Sequence, residues 1–257
     1  MGSKSFVFDF DGVLFDTAPE CLRVAFDTAS RQNHKWGFPQ SWKPGQKISQ
    51  DVLVPFLKNR AWVGPPWQYG PLLLEIFQGE ISESREAFLA KAQTLRESFQ
   101  GFEDSYFATR IELQKNTRLW LAEVKPYPEA LAAFEAAKKR DLASILSTRD
   151  SDSISKIIQY FIDEPPDPRI ILPRASKGTK SAVLEHWAAP LKIARSNVVF
   201  IDDYVEHLLP AHRDGFNCRW ASWGYTQPED LDLCTQSGIR VLTQRTLLDE
   251  VQKEVSV

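Results

Sequence analysis

The apolar positions along this chain follow two rhythms, and the switches between them mark its organisation. Residues 4–10 form a short apolar run, Lys4 to Phe10, of the kind expected for a buried parallel strand. From about Pro19 to Val124 strand-like runs are scarce and helical spacing takes over. Pro19-Glu20 opens a first helix in which Leu22, Ala25, Phe26 and Ala29 recur on one face. Further helices are expected over 52–58, 69–77, 84–99 and 106–122, with breaks at Pro39, Pro44-Gly45, Gly64-Pro65-Pro66 and Gly101.

After a helix that begins at Tyr127-Pro128-Glu129, apolar runs at 142–146, 169–172, 198–201, 218–221 and 240–242 alternate with helical segments at 151–161, 180–187, 205–213, 229–234 and 247–251. Such alternation predicts right-handed crossovers and a parallel sheet covered on both faces. The expected fold is therefore α/β and doubly wound, with residues 1–17 and 125–257 forming the core domain and 18–124 a helical domain inserted after the first strand. Ligands of such sheets lie beyond the carboxyl ends of the strands, near the switch in strand order. The residues that follow each strand thus carry the functional reading.

Strand one runs into Asp9-Phe10-Asp11-Gly12-Val13. Residues two apart in an extended segment point the same way, so Asp9 and Asp11 crowd two carboxylates together unless a cation separates them. Gly12 permits a tight turn and a close approach of backbone to ligand. An ordinary surface turn rich in Asp and Gly is the plainer reading of the same residues.

The second run ends in Ser147-Thr148-Arg149, which offers hydroxyls and a guanidinium to an anion at the same sheet edge. Ser147 and Ser151 could equally cap the following helix. Lys177 and Lys180 stand before and at the start of the next helix, where the dipole does not favour a basic side chain. The fourth run closes with Asp202-Asp203, hard oxygen donors of the type that suits Mg²⁺, although Asp203 could cap the helix containing Val205.

Charge narrows the class. With 31 basic against 34 acidic residues and a formal net charge of -3, the chain carries no nucleic-acid footprint, and no stretch has the apolar length to span a bilayer. Cys21, Cys218 and Cys234 form no CxxC pair and are odd in number, which points to a reducing, cytoplasmic setting. Met1-Gly2-Ser3-Lys4-Ser5 leads into Phe6-Val7-Phe8, a run too short for a signal-peptide core and followed at once by acids. Five of the 8 tryptophans, at 36, 42, 62, 67 and 120, fall in the insertion, where filling a small helical core outranks building an interface. Lys58, Arg60, Arg110 and Arg149 could reach a substrate anion, but solvation at the surface is the expected role of each.

Taken together, Asp9-Phe10-Asp11-Gly12-Val13, Ser147, Lys180 and Asp202-Asp203 resemble, in order, the four motifs of the haloacid dehalogenase-like superfamily. Residues 211–225 with Trp223-Gly224-Tyr225, and Ser237-Gly238-Ile239, are similar to its phosphoglycolate phosphatase-like members, and the inserted helices fit the family's cap. The resemblance implies a phosphatase acting on a small phosphorylated metabolite. In it Asp9 would be the nucleophile that becomes an aspartyl phosphate, and Asp11 the general acid and then base. Ser147 and Lys180 would grip the phosphoryl oxygens, with Thr148 and Lys177 as alternatives one residue and one helical turn away. Mg²⁺ would be held by Asp9, the Asp11 carbonyl, Asp203 and Asp202. A carboxylate at position 11 disfavours the dehalogenase and phosphonatase branches, whereas a phosphomutase of the β-phosphoglucomutase kind keeps it. A non-catalytic binding protein and a receiver-like signalling domain are the readings from other classes; the long insertion does not fit the latter.

Overall fold

A computed structural model describes residues 4–173 and 179–256. Among the described residues seven strands are formed: β1 (Ser5–Phe8), β2 (Phe15–Asp16), β3 (Lys125–Pro126), β4 (Ala143–Ile145), β5 (Val198–Asp202), β6 (Asn217–Ala221) and β7 (Arg240–Leu242). Five of them make one parallel sheet in the order β4-β1-β5-β6-β7. Within the sheet the chain passes from β1 to β4 on one side and then crosses back to β5 on the other, so the switch in strand order falls at β1.

Burial explains the composition of the central strands. Phe6, Val7 and Phe8 of β1 and every residue of β5 are shut off from solvent, as both faces of the sheet carry helices. On one face Phe8 meets Phe134 of helix Pro128–Lys138 edge to face, with ring centres 5.6 Å apart. On the other, Val7 and Phe200 share an apolar cluster with Leu184, Leu208 and Ala211 from helices Lys180–Ala188 and Val205–Arg213.

The chain divides into two compact units, one of residues 1–16 and 125–257 and one of 17–124. The antiparallel pair β2–β3, with Phe15 opposite Pro126 and Asp16 opposite Lys125, ties together the two points where the first unit is interrupted. The second unit is helical, with helices at Ala18–Arg31, Asn33–Trp36, Gln50–Asn59, Tyr69–Gln78, Arg85–Thr94, Phe102–Gln114 and Thr117–Trp120. Trp36, Trp62 and Trp67 lie in its core, Trp42 packs against that core, and Trp120 is buried with its indole N–H donating to Glu20 at 2.8 Å. The tryptophans therefore fill the inside of this unit.

Arg110, expected at the surface, is instead buried beside Glu20, its Nε donating at 2.9 Å and Nη2 at 3.2 Å, while its Nη2 also bonds the Tyr106 hydroxyl. A guanidinium can be buried when its fork of donors is matched by a carboxylate, and here Glu20 supplies the match. Arg60 is half-buried with its guanidinium over the Tyr69 ring, and Lys58 is exposed as expected.

Three expectations need correction. Residues 169–172 are not a strand; Pro168–Ile170 is a 3₁₀ turn, and only Ile171 bridges Ile145 of β4. Pro168 opens that turn and the Asp167 side chain caps it by accepting from Arg169 N–H, so the chain here is wound rather than extended. The helix expected over 84–99 ends at Thr94, because Phe99 turns in to pack with Trp36, Phe38 and Phe102. The one expected over 106–122 begins earlier, at Phe102, and breaks after Gln114, where the Asn116 side chain accepts from Leu119 N–H and caps a new turn.

Candidate active site

The carboxyl ends of β1, β4 and β5 lie side by side, and each hands the chain to polar residues. Asp9 follows β1, its N–H still bonded to Ile201 of β5 at 2.8 Å. Ser147 and Thr148 follow β4, and Asp202 and Asp203 stand at the end of β5. Lys180 opens the helix Lys180–Ala188, which Thr179 caps by accepting from Ala182 N–H. Lys177, the alternative to Lys180, lies outside the described residues.

Lys180 is the hub. It is 2% exposed, and its ammonium sits 2.9 Å from Asp9 Oδ1 and 2.8 Å from Asp202 Oδ2. Burial alone pushes the lysine toward its neutral form, but the Asp202 and Asp9 carboxylates outweigh this and hold it above its ordinary range. Asp202 shows the converse balance: burial raises it, while Lys180 and His207 together pull it well below the usual carboxylate range. Asp9 is pushed up to about 6, chiefly by burial, with Lys180 opposing and the Asp202 charge adding to the rise. Of the two carboxylates on the ammonium, Asp202 is held the more firmly ionised.

Asp203 is held differently. Its carboxylate accepts from Tyr225 N–H at 2.6 Å and its carbonyl from the Trp220 indole at 2.9 Å. The backbone presses close here. Gly12 has φ +83°, and a β-carbon on it would overlap the Asp203 carboxylate; a β-carbon on Gly224 would meet Asp203 and the Gly12 carbonyl. The Trp223 indole donates to Val13 O at 3.1 Å and the Tyr225 hydroxyl bonds Asp16 at 3.0 Å, so the segment 223–225 is stitched to the turn after β1.

Asp11 does not share the ammonium. Its carboxylate is gripped by Arg149, with Nε at 2.9 and 3.1 Å from its two oxygens and Nη2 at 2.8 Å. Arg149 is 4% exposed, which overturns the expectation of a solvated side chain: the partner that makes burial tolerable lies 138 residues away. The Ser147 hydroxyl is buried and accepts from Arg149 N–H at 3.2 Å, while Thr148 is half-buried.

Sequence reasoning also passed over His207. It lies in the first turn of the helix after Asp202-Asp203, with Nδ1 3.1 Å from Asp202 Oδ2. Its position five residues beyond an acid, in the first turn of the following helix, was the available signal. Among the described residues, ligand atoms of Asp9, Asp202 and His207 come within 4.8 Å of one another. The two carboxylates suit a hard divalent cation, whereas the imidazole nitrogen is a softer donor. Among Asp9, Asp11, Asp202, Asp203, Lys180 and Arg149 there are four carboxylates and two cations, a formal excess of two negative charges that such an ion would balance.

Three comparisons bear on this geometry. Residues 4–213 match the family model of the haloacid dehalogenase-like hydrolases. No protein of curated function matches the sequence. Among solved structures, a protein of Lactobacillus delbrueckii subsp. bulgaricus assigned as a phosphoglycolate phosphatase superposes with a TM-score of 0.64 at 15% identity, over 98% of this chain and 99% of that one. One of Haemophilus somnus with the same assignment gives 0.61 at 14%, over 96% and 97%. One of Thermotoga maritima assigned as a β-phosphoglucomutase gives 0.56 at 16%, over 97% and 99%. At such identities these structures speak to the fold alone. With the family model spanning 210 of 257 residues and the same α/β fold in those structures, the chain belongs to the haloacid dehalogenase-like hydrolases.

Proposed function

We propose that the protein is a Mg²⁺-dependent phosphatase that cleaves a small phosphorylated metabolite through an aspartyl phosphate on Asp9. The observation that carries this reading is the buried Lys180 ammonium bridging Asp9 and Asp202. It joins three segments distant in sequence at the switch point of the sheet, and it offers a fixed positive charge where a phosphoryl group would meet the nucleophile.

In the first half-reaction an Asp9 carboxylate oxygen attacks phosphorus and the ester P–O bond breaks. The leaving alkoxide takes its proton from Asp11, which lies two residues after the nucleophile. In the second, water attacks the phosphorus of the aspartyl phosphate, the bond to Asp9 breaks, and the proton of the water passes to Asp11. Lys180 and the Ser147 hydroxyl, with Thr148 beside it, bind the phosphoryl oxygens and hold them in line. Asp9, Asp202, Asp203 and the Asp11 carbonyl would hold Mg²⁺, with His207 orienting Asp202. When bound, the cation neutralises charge on the transferring group.

The test is phosphate release from p-nitrophenyl phosphate and from a panel of phosphorylated metabolites, with and without Mg²⁺, for the native chain and for Asp9→Asn. Release that needs Mg²⁺ and vanishes in the folded variant is expected. Normal turnover by Asp9→Asn would rule out the covalent route. The structure assigned as a β-phosphoglucomutase keeps one further reading in play: phosphate moving between positions of a sugar, without release to water, would make this protein a mutase.

A further inference from the structure

The segment that follows β6 is pinned to a strand that is not its neighbour. In the sheet β5 lies between β1 and β6, yet residues just after β6 reach past the end of β5 to the turn after β1. The Trp223 indole donates to Val13 O at 3.1 Å, and the Tyr225 hydroxyl donates to Asp16 Oδ1 at 3.0 Å. Trp223-Gly224-Tyr225 is therefore a strap across the carboxyl end of β5, anchored by a side chain on each side of its glycine. What it crosses is Asp203.

The crossing is tight. Asp203 is 3% exposed, and backbone closes on its carboxylate from two directions, since a β-carbon on either Gly12 or Gly224 would overlap Oδ2. Residues without a side chain are what allow both backbones to come so near. The Tyr225 N–H donates to Oδ2 at 2.6 Å, and the Trp220 indole holds the Asp203 carbonyl at 2.9 Å. A bond from N–H to carboxylate orients the acid only as firmly as the donor itself is held. Here the donor residue is held through its own hydroxyl, on Asp16.

We propose that Tyr225 is a positioning residue: pinned by its hydroxyl, it aims its N–H at Asp203 and keeps that carboxylate in the orientation that receives the divalent cation. The inference rests on the metal-dependent phosphatase reading and deepens it. A group that orients a metal-ligating carboxylate contributes to affinity for the ion without touching it. A strap that served the fold alone would leave that affinity unchanged.

Mn²⁺ is the probe, because carboxylate, carbonyl and water donors suit it as they suit Mg²⁺. Titration of the substrate-free protein, followed by the EPR signal of unbound Mn²⁺, gives a dissociation constant with no turnover involved. The native chain is compared with Tyr225→Phe, Gly224→Ala, Trp223→Phe, Asp203→Asn and Gly37→Ala. Tyr225→Phe keeps the ring and the N–H and loses only the anchor on Asp16; it is expected to weaken Mn²⁺ binding about 10-fold, the lower end of the range for groups that orient metal ligands. Gly224→Ala drives a methyl group into the Asp203 carboxylate and should weaken binding at least as much. Trp223→Phe cuts the other anchor and should act in the same direction; it decides the matter if the first two variants do not fold. Gly37→Ala, a strained substitution in the helical unit with open space around it, should keep the native affinity.

Native affinity, within about twofold, in the folded strap variants would overturn the positioning role. So would an equal loss in Gly37→Ala, which would make the effect one of general stability. Native affinity in Asp203→Asn would overturn it as well, by removing Asp203 from the ligands. A native chain that leaves the Mn²⁺ signal unchanged would instead overturn the metal-dependent reading beneath it.

Discussion

Replacing the nucleophile candidate with its neutral isostere should make the metal-free protein more stable, and the size of the gain should depend on pH. Asp9 is pushed from the ordinary 3.8 to about 6 inside the fold, mainly by burial. A carboxyl raised in the folded state stabilises the fold below its unfolded pKa, and that contribution is lost as pH rises through the folded value. One pKa unit corresponds to about 1.4 kcal/mol, so ionised Asp9 costs the native protein about 3 kcal/mol by pH 7.5. This figure already contains the attraction of Lys180. Asp202 has the opposite sign, adding stability above its ordinary range and losing it in acid, but it is present in both proteins and cancels in the comparison.

Asp9→Asn removes the cost. With a chelator present, the variant should match the native chain near pH 4 and exceed it by up to about 3 kcal/mol at pH 7.5, or roughly 6 to 12 °C in melting temperature. Thermal unfolding followed by circular dichroism across that pH range is the assay. A variant that melts no higher than the native chain at pH 7.5, or a gain that is the same at both ends of the range, would refute the argument that burial penalises the ionised side chain.

Other perturbations test the remaining parts of the structure. Lys180→Met leaves two buried carboxylates facing each other and should cost about 3–5 kcal/mol in chemical denaturation at neutral pH; an unchanged midpoint would remove the lysine from the hub. Gly12→Ala combines positive φ with a β-carbon driven into the Asp203 carboxylate, whereas Gly37→Ala, at φ +75°, meets open space. The former should lower the melting temperature by clearly more than the latter, which should cost only about 1 kcal/mol. Arg110→Met strips a buried partner from Glu20 and should destabilise the helical unit by about 3–5 kcal/mol, read as an earlier unfolding transition; a transition at the native position would show that Glu20 is satisfied without it.

The sequence by itself determined what local pattern can carry. Apolar runs at β1 and β5 pointed to strands buried on both faces, and the acids ending those runs to one edge of a parallel sheet. The alternation after residue 125 and the helical rhythm before it were legible for the same reason: the period of hydrophobicity is a property of neighbours in the chain. Only the tertiary structure decided which charges meet. That Lys180 lies between Asp9 and Asp202, that Arg149 clasps Asp11 and Arg110 clasps Glu20, and that His207 leans on Asp202 are matters of pairing across long separations. A lone arginine in a sequence reads as solvated because burial of its charge is costly, and the carboxylate that lifts the cost is invisible until the chain has folded. The early end of the helix at Thr94 has a similar origin, since the pull of Phe99 into an aromatic core overrode a local rhythm that would have continued it.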